Sequence, residues 1–207
     1  NHETDAEYWV YTAPEDMILV LEPVVQENTS FYVYVYDYDT DQVITGATVK
    51  YPTYAYKLAA GDKVYIKGQG SNSGSDPWKM TINATMYSGN DVSGLGHGAT
   101  VEDPIEIVPG KLHWVDNSAY ATYTATDDGM LSLKMSYCTV TVNDAKVDGI
   151  SVDGLSVYKF AVEKDQTYNI YLKAYNPLLV QAELIIPQAG SVDKPFEIVT
   201  GGNTVPK

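Results

Sequence analysis

The sequence predicts an all-β protein made of two tandem antiparallel β-sandwiches, jelly-roll-like and related by internal duplication. Two observations carry this prediction. Short stretches alternate apolar and polar residues with period two, and three sequence blocks occur twice in the same order. No stretch combines apolar residues at helical spacing with a helix cap. A chain of 207 residues is long enough for two such domains.

Alternation marks the predicted strands. Four stretches show it most clearly: 80–86, 131–137, 138–142 and 168–174. In a strand, this spacing places the apolar side chains on one face, above a core. Met135 and Cys138 belong to the apolar sets, so both are predicted to be buried. Clusters of Gly, Pro, Asn, Asp and Ser, such as 71–77 and 88–98, separate the stretches and predict turns.

The repeated blocks set the predicted domain boundary. They recur in one order: 8–13 as 120–125, 56–59 as 158–161, and 101–110 as 192–201. We therefore predict one domain over 1–112 and a second over 113–207. The first copy is longer, around 26–53 and 68–100. Because loops on a rigid sandwich often carry specificity, we expect the first domain to hold any ligand.

One repeated block has an ambiguous place in the repeat. The Pro-x-Glu-Ile-Val block at 104–108 recurs at 195–199. It either closes one domain or opens the next. If it opens the next, its second occurrence begins a third copy of the domain, and the chain belongs to a longer array.

Charge and composition exclude several function classes. The formal net charge is −14, and all 13 cationic side chains are lysines. This disfavours a nucleic-acid or phosphate partner and docking on an anionic membrane. No apolar run is long enough to span a membrane. A single cysteine, Cys138, excludes an internal disulfide framework and a four-cysteine metal site.

A stripe of tyrosines is the predicted ligand-binding site. Residues 31–38 read Phe-Tyr-Val-Tyr-Val-Tyr-Asp-Tyr, which places four tyrosines on one strand face: Tyr32, Tyr34, Tyr36 and Tyr38. An exposed stripe of this kind offers rings and hydroxyls to a sugar or a partner protein. Trp78, at a predicted loop exit, adds a further ring or fixes its loop to the core. The alternative is that the stripe packs under a loop or against the second domain.

Three alternating carboxylates form the predicted metal site. Asp37, Asp39 and Asp41 lie in one predicted bend, where their oxygens can converge on a hard cation such as calcium. The calcium-loop pattern is incomplete, because Gln42 stands where it requires glycine and no glutamate closes it. The alternative is a solvated acidic turn between two strands, with no cofactor.

Catalytic patterns are missing from the sequence. It contains no Gly-x-Ser-x-Gly elbow and no two-histidine metal spacing. Asp and Glu are plentiful enough for a paired-carboxylate glycosidase, which the sequence leaves open. However, about 100 residues of sandwich per domain leaves little room for a deep cleft. We therefore expect a protein that is not an enzyme.

The strand blocks carry a resemblance to a known group of proteins. The Tyr-x-x-Tyr-Thr-Ala opening at 120–125 and the Pro-x-Glu-Ile-Val strand resemble tandem β-sandwich modules of exported Bacteroidota surface proteins. They are also distantly similar to bacterial pre-peptidase C-terminal-like domains. The resemblance implies an accessory unit for adhesion, glycan contact or presentation of a neighbouring domain. It supplies no catalytic residues.

Two functions are consistent with these observations. The first is a non-enzymatic cell-surface module that serves in adhesion or as an accessory spacer. The second is a carbohydrate-binding module that uses the tyrosine-lined face of the first domain, with or without calcium. The expected partner is a glycan or a surface protein. The acidic, arginine-free composition predicts an extracellular or outer-surface location, secreted or lipid-anchored in the full-length protein.

Overall fold

The computed structural model describes residues 6–25, 29–48, 54–72, 80–136 and 138–187. These residues form eighteen β-strands and one short 3-10 turn, Gly89–Asp91. Within them, no helix has the length and apolar character needed to cross a bilayer. The all-β prediction is confirmed.

Eight strands come from the first part of the chain: β1 (Ala6–Thr12), β2 (Met17–Val25), β3 (Thr29–Asp37), β4 (Val43–Thr48), β5 (Tyr54–Leu58), β6 (Lys63–Asn72), β7 (Met80–Ser88) and β8 (Val92–Ser93). Ten come from the rest: β9 (Ile105–Glu106), β10 (Leu112–Val115), β11 (Ser118–Thr124), β12 (Gly129–Met135), β13 (Thr139–Val142), β14 (Ala145–Val147), β15 (Gly149–Val152), β16 (Leu155–Val162), β17 (Thr167–Lys173) and β18 (Leu178–Ile185).

The first sandwich is made of two antiparallel sheets. Sheet A has the order β1-β6-β3-β4, and sheet B has the order β5-β2-β7. Alternation along each strand turns one apolar set inward, so the two sheets share a core. This core contains Leu19 and Leu21 from β2, Val33 and Val35 from β3, and Leu58 from β5.

The second sandwich is larger. Sheet C has the order β15-β16-β12-β18-β10-β8, and sheet D has the order β14-β13-β17-β11-β9. Met135 is 1% exposed and Cys138 is buried beside it, with 3.2 Å between their sulfur atoms. Both burial predictions are confirmed. Because burial disfavours the thiolate, the pKa of the Cys138 thiol is raised to about 12.

The two sandwiches have the same strand order. β1-β6-β3-β4 in sheet A corresponds to β11-β17-β13-β14 in sheet D, and β5-β2-β7 in sheet B corresponds to β16-β12-β18 in sheet C. Tyr8 of the first repeated block lies in β1, and its counterpart Tyr120 lies in β11. A shared order is what duplication would produce, and the duplication itself stays an interpretation of the repeated blocks.

The segment between the two sandwiches joins the second one. β8 pairs in parallel with β10, and β9 pairs in parallel with β11. Ile105 and Ile107 are both buried in the second core. The Pro-x-Glu-Ile-Val block at 104–108 therefore belongs to the second sandwich. The predicted boundary, between residues 112 and 113, falls within β10.

A third apolar cluster lies where the sandwiches meet. It combines Ile18 and Val20, on the side of β2 that faces away from the first core, with Ala55, Val92 and Trp114. The indole Nε1 of buried Trp114 donates a hydrogen bond to Asp116 Oδ1 at 2.6 Å. The second face of sheet B is thus partly covered, and within the described residues the outer face of sheet A is the more open face of the first sandwich.

Candidate functional site

Strand β3 separates its apolar and tyrosine positions as its period-two pattern requires. Val33 and Val35 are buried, whereas Tyr34 and Tyr36 are half-buried on the outer side of sheet A. Tyr38 follows the end of the strand and is exposed.

Two other predicted site residues are described less fully. The backbone of Tyr32 pairs with Gln69 of β6 and Thr48 of β4, two residues before Tyr34. Trp78 lies outside the described residues. The candidate site is therefore built on the tyrosines that follow Tyr32.

Two neighbouring strands add residues that the sequence prediction missed. Across the sheet, Tyr65 of β6 pairs with Tyr36, and Lys67 of β6 pairs with both Tyr34 and Tyr8. Directly paired residues share a face of the sheet. We name this surface the tyrosine face and define it by Tyr8, Tyr34, Tyr36, Tyr65 and Lys67.

The rings of the tyrosine face form a continuous row. Tyr36 and Tyr65 are stacked, with ring centroids 4.6 Å apart and planes 5° from parallel. Tyr34 lies 6.2 Å from Tyr36, and Tyr8 lies 6.0 Å from Tyr65, both tilted. Each stacked ring covers one side of the other. Tyr8, at the end of the row, is 59% exposed and is the most accessible ring of the face.

Lysines and one carboxylate hold the rings in place. The Nζ of Lys67 lies 5.9 Å from the centroid of the Tyr8 ring, and that of Lys63 lies 3.5 Å above Tyr38. These are cation–π distances. The Tyr65 hydroxyl donates a short hydrogen bond to Asp41 Oδ1. This bond, which favours the protonated phenol, raises the pKa of Tyr65 to about 12.

The aspartates of the predicted metal site make local hydrogen bonds. Asp37 Oδ1 accepts from the backbone N–H groups of Asp39 and Thr40 at 3.1 and 2.8 Å and from the Thr40 hydroxyl at 2.7 Å. The bonds from Thr40, its hydroxyl above all, lower the pKa of the Asp37 carboxyl. Asp41 has a positive φ of 57° and bonds to Tyr65. This pattern is that of an Asx turn.

Candidate metal ligands are not grouped in the part of the chain that the structure describes. Among the residues that the structure describes, no group of three or more His, Cys, Asp or Glu side chains is arranged to hold a metal ion. Calcium binding at Asp37, Asp39 and Asp41 stays a prediction, and the hydrogen bonds of Asp37 and Asp41 give the turn a structural role in any case.

The corresponding face of the second sandwich is concave. An open pocket of about 510 Å³ lies against the outer side of sheet D. Tyr120 and Tyr171 form one part of its wall, with ring centroids 4.9 Å apart. Polar side chains also line it, and these are Thr122, Thr141, Asn143, Asp144 and Asn169. A pocket of this size with aromatic and amide groups is within the range of small-ligand sites.

The structure brings together a serine and a histidine that are distant in sequence. Ser93 Oγ lies 2.5 Å from His113 Nδ1, and His113 Nε2 lies 3.2 Å from the backbone of Val108. His113 is fully buried, and burial lowers its pKa. A backbone group occupies the second nitrogen, so no carboxylate orients the ring. His113 is thus a buried histidine whose two ring nitrogens are satisfied by Ser93 and by the backbone of Val108.

The missed residues had a weak local signal. Residues 63–67 read Lys-Val-Tyr-Ile-Lys, an alternating pattern whose inward set is Val64 and Ile66. This pattern places Tyr65 and Lys67 on the outer side of a strand. It does not say which strand lies beside β3, and that order decides which rings meet.

Comparison with known proteins adds no relative. No protein-family model matches the sequence, and no curated protein matches it at a significant level. The similarity to exported Bacteroidota sandwich modules and to pre-peptidase C-terminal-like domains therefore depends on the strand blocks and stays an interpretation.

Proposed function

We propose that this chain is a non-enzymatic binding module of the adhesion type, located outside the cell, and that its contact surface is the tyrosine face. One observation carries the proposal. Four tyrosines and a lysine from three neighbouring strands form a single row on the open face of the first sandwich. No core requirement explains aromatic residues at these outward positions.

The chemistry of this row suits a protein partner. Tyrosine is enriched in protein interfaces, because it contributes a large apolar ring together with a hydroxyl that bonds well at a wet boundary. Stacking of Tyr36 on Tyr65 and the lysine contacts order the rings before binding. A surface ordered in advance loses less conformational entropy when a partner binds.

A positive charge lies within the row. Among the described residues, Lys67 has no carboxylate within salt-bridge distance. It is placed between Tyr8 and Tyr34 on a protein whose net charge is −14. Lys67 therefore offers an ammonium group to an acidic side chain of the partner. Because the rest of the protein is negatively charged and repels anions, this contact favours docking at the tyrosine face.

Binding to a panel of purified surface and matrix proteins tests this proposal. The variant Tyr36→Ala with Tyr65→Ala should bind at least about tenfold more weakly than the unmodified chain, as expected for central aromatic residues. Tyr175→Ala is the matched control, since Tyr175 is 77% exposed and lies outside the face. Equal loss in both variants, or unchanged binding in the double variant, contradicts the proposal.

Carbohydrate binding is the second candidate. Two observations favour it: the exposed ring of Tyr8 and the pocket beside Tyr120 and Tyr171, which combines rings with amides and hydroxyls. A glycan array with calcium and with chelator distinguishes the candidates. Loss of glycan binding in Tyr8→Ala assigns it to the tyrosine face, and loss in Tyr120→Ala assigns it to the pocket. Binding that needs calcium points to Asp37, Asp39 and Asp41.

A further inference from the structure

Strands β1 and β11 hold the same place in the two sandwiches but have different neighbours. β11 lies between β17 and β9 in sheet D. β1 pairs with β6, and no other strand within the described residues pairs with it. The free edge of β1 therefore corresponds to the edge that β9 covers in the second sandwich.

β9 does two things for the second sandwich. Its residues Ile105 and Glu106 pair in parallel with Ala121 and Thr122, and the N–H of Ile107 donates to the carbonyl of Thr122 at 2.8 Å. Ile105 and Ile107 are also buried in the core. β9 thus satisfies backbone groups at the edge and covers apolar side chains at the same time.

Among the residues that the structure describes, nothing provides that cover for the first sandwich. Trp9 pairs with Ile66, a core residue, so its ring is on the core side of sheet A, yet it is 40% exposed. Its counterpart Ala121 is buried. Tyr11 is half-buried, whereas its counterpart Tyr123 is 2% exposed. An open strand edge with uncovered apolar side chains is a template for an added strand.

The sequence contains a second copy of the covering strand. Residues 195–199 read Pro-Phe-Glu-Ile-Val, against Pro-Ile-Glu-Ile-Val at 104–108. The earlier copy follows the last strand of sheet B and forms β9 of the next sandwich. By the same order, the later copy follows β18 and suits the corresponding strand of a further sandwich.

We propose that the open edge of β1 binds residues Pro195–Val199 of a second copy of this chain as a parallel strand. Alignment of Tyr8 with Tyr120 sets the register, with Phe196 beside Trp9 and Glu197 beside Val10. Phe196 and Ile198 then cover Trp9 and Tyr11, as Ile105 and Ile107 cover the second core. The contact joins unlike surfaces, so it links copies head to tail.

A peptide assay tests the acceptor edge directly. The probe is a synthetic peptide of residues 192–201, which contains no tryptophan or tyrosine. The acceptor is the full chain with Phe196→Asp and Ile198→Asp, whose own segment is disabled. Binding should shift tryptophan fluorescence to shorter wavelength, because Trp9 becomes covered. A peptide with the same two substitutions should bind at least about tenfold more weakly. Equal binding of both peptides, or none, overturns the proposal.

Cross-linking between copies tests the register and the source of the strand. A Val10→Cys chain mixed with a Glu197→Cys chain should form a disulfide-linked dimer. Ile150→Cys replaces Val10→Cys in the control, since Ile150 is also exposed on an edge strand, β15. The native Cys138 is buried and does not compete. Equal cross-linking in the control overturns the proposal. A chain that carries both Val10→Cys and Glu197→Cys and forms only an intramolecular disulfide also overturns it.

Strand addition at β1 and partner binding at the tyrosine face can be tested separately. Phe196→Asp with Ile198→Asp leaves the tyrosine face unchanged, so binding of an external partner should persist in that variant. Conversely, Tyr36→Ala with Tyr65→Ala leaves the edge of β1 in place, so peptide binding should persist there.

Discussion

The outer faces of sheets A and D are corresponding surfaces that carry different side chains. Core residue Ile66 pairs with Trp9 and Val35, and core residue Ile170 pairs with Ala121 and Val142 in the same way. In sheet A, the residue after Val35 is Tyr36, which lies opposite Tyr65. In sheet D, the residue after Val142 is Asn143, which lies opposite Asn169.

The two faces differ in side-chain size. Stacked tyrosine rings occupy the middle of sheet A, while short amides, together with Val101 and Pro104, line the pocket of about 510 Å³ on sheet D. One framework thus presents a row of rings in one sandwich and a pocket of rings, amides and hydroxyls in the other. The inward residues maintain the fold, and the outward residues and the edges set what each sandwich can bind.

The largest expected effect concerns the core of the second sandwich, on which sheet D packs. Met135→Ala should lower the free energy of unfolding by about 2–5 kcal/mol, because Met135 is 1% exposed and its loss leaves a cavity. Chemical denaturation followed by circular dichroism measures it. Met86→Ala is the matched control, since Met86 is 49% exposed and should cost less than about 0.5 kcal/mol. Similar values for both would contradict the assigned core.

The next effect separates the covered edge from the open one. Ile105→Ala should cost about 2 kcal/mol or more, because Ile105 of β9 is buried in the second core. Trp9→Ala should cost about 1 kcal/mol or less in the monomer, although tryptophan is the larger side chain, because Trp9 is only partly covered. The measurement is urea denaturation at low protein concentration. The reverse order of costs would remove the difference between the two edges.

A smaller effect is expected on acidification. His113 has a folded-state pKa below its ordinary value of 6.5, since burial disfavours the charged ring. The unfolded chain therefore takes up the proton first, and this contribution to stability is lost as pH falls below about 6.5. An NMR titration of the His113 ring gives its pKa, and unfolding curves at several pH values give the stability. A ring that titrates at or above 6.5 would refute this assignment.

The smallest effect lies on the tyrosine face. Asp41→Asn weakens the acceptor for the Tyr65 hydroxyl, so the pKa of Tyr65 should fall from about 12 toward its ordinary value of 10. In the unmodified chain, the raised pKa favours the folded state below pH 10, and that contribution disappears as pH rises from 10 to 12. An NMR titration of ring carbons measures the shift. Asp39→Asn is the control and should leave Tyr65 unchanged, because Tyr65 bonds to Asp41.

The sequence alone determined the features that depend on local alternation. Period two placed Val33 and Val35 inward and Tyr34 and Tyr36 outward, and it placed Met135 in the core. These outcomes follow because successive side chains of any strand point to opposite faces, whichever strand lies beside it. The all-β class followed from the same pattern.

Which outward side chains contact each other depends on the tertiary structure. The contact of Tyr65 with Tyr36 and with Asp41 depends on the pairing of β6 with β3, strands that β4 and β5 separate in the chain. The place of β9 beside β11, which assigns the 104–108 block to the second sandwich, depends on pairing in the same way. Neighbour order in a sheet is set by the burial and hydrogen bonding of the whole fold, and no period within one strand records it.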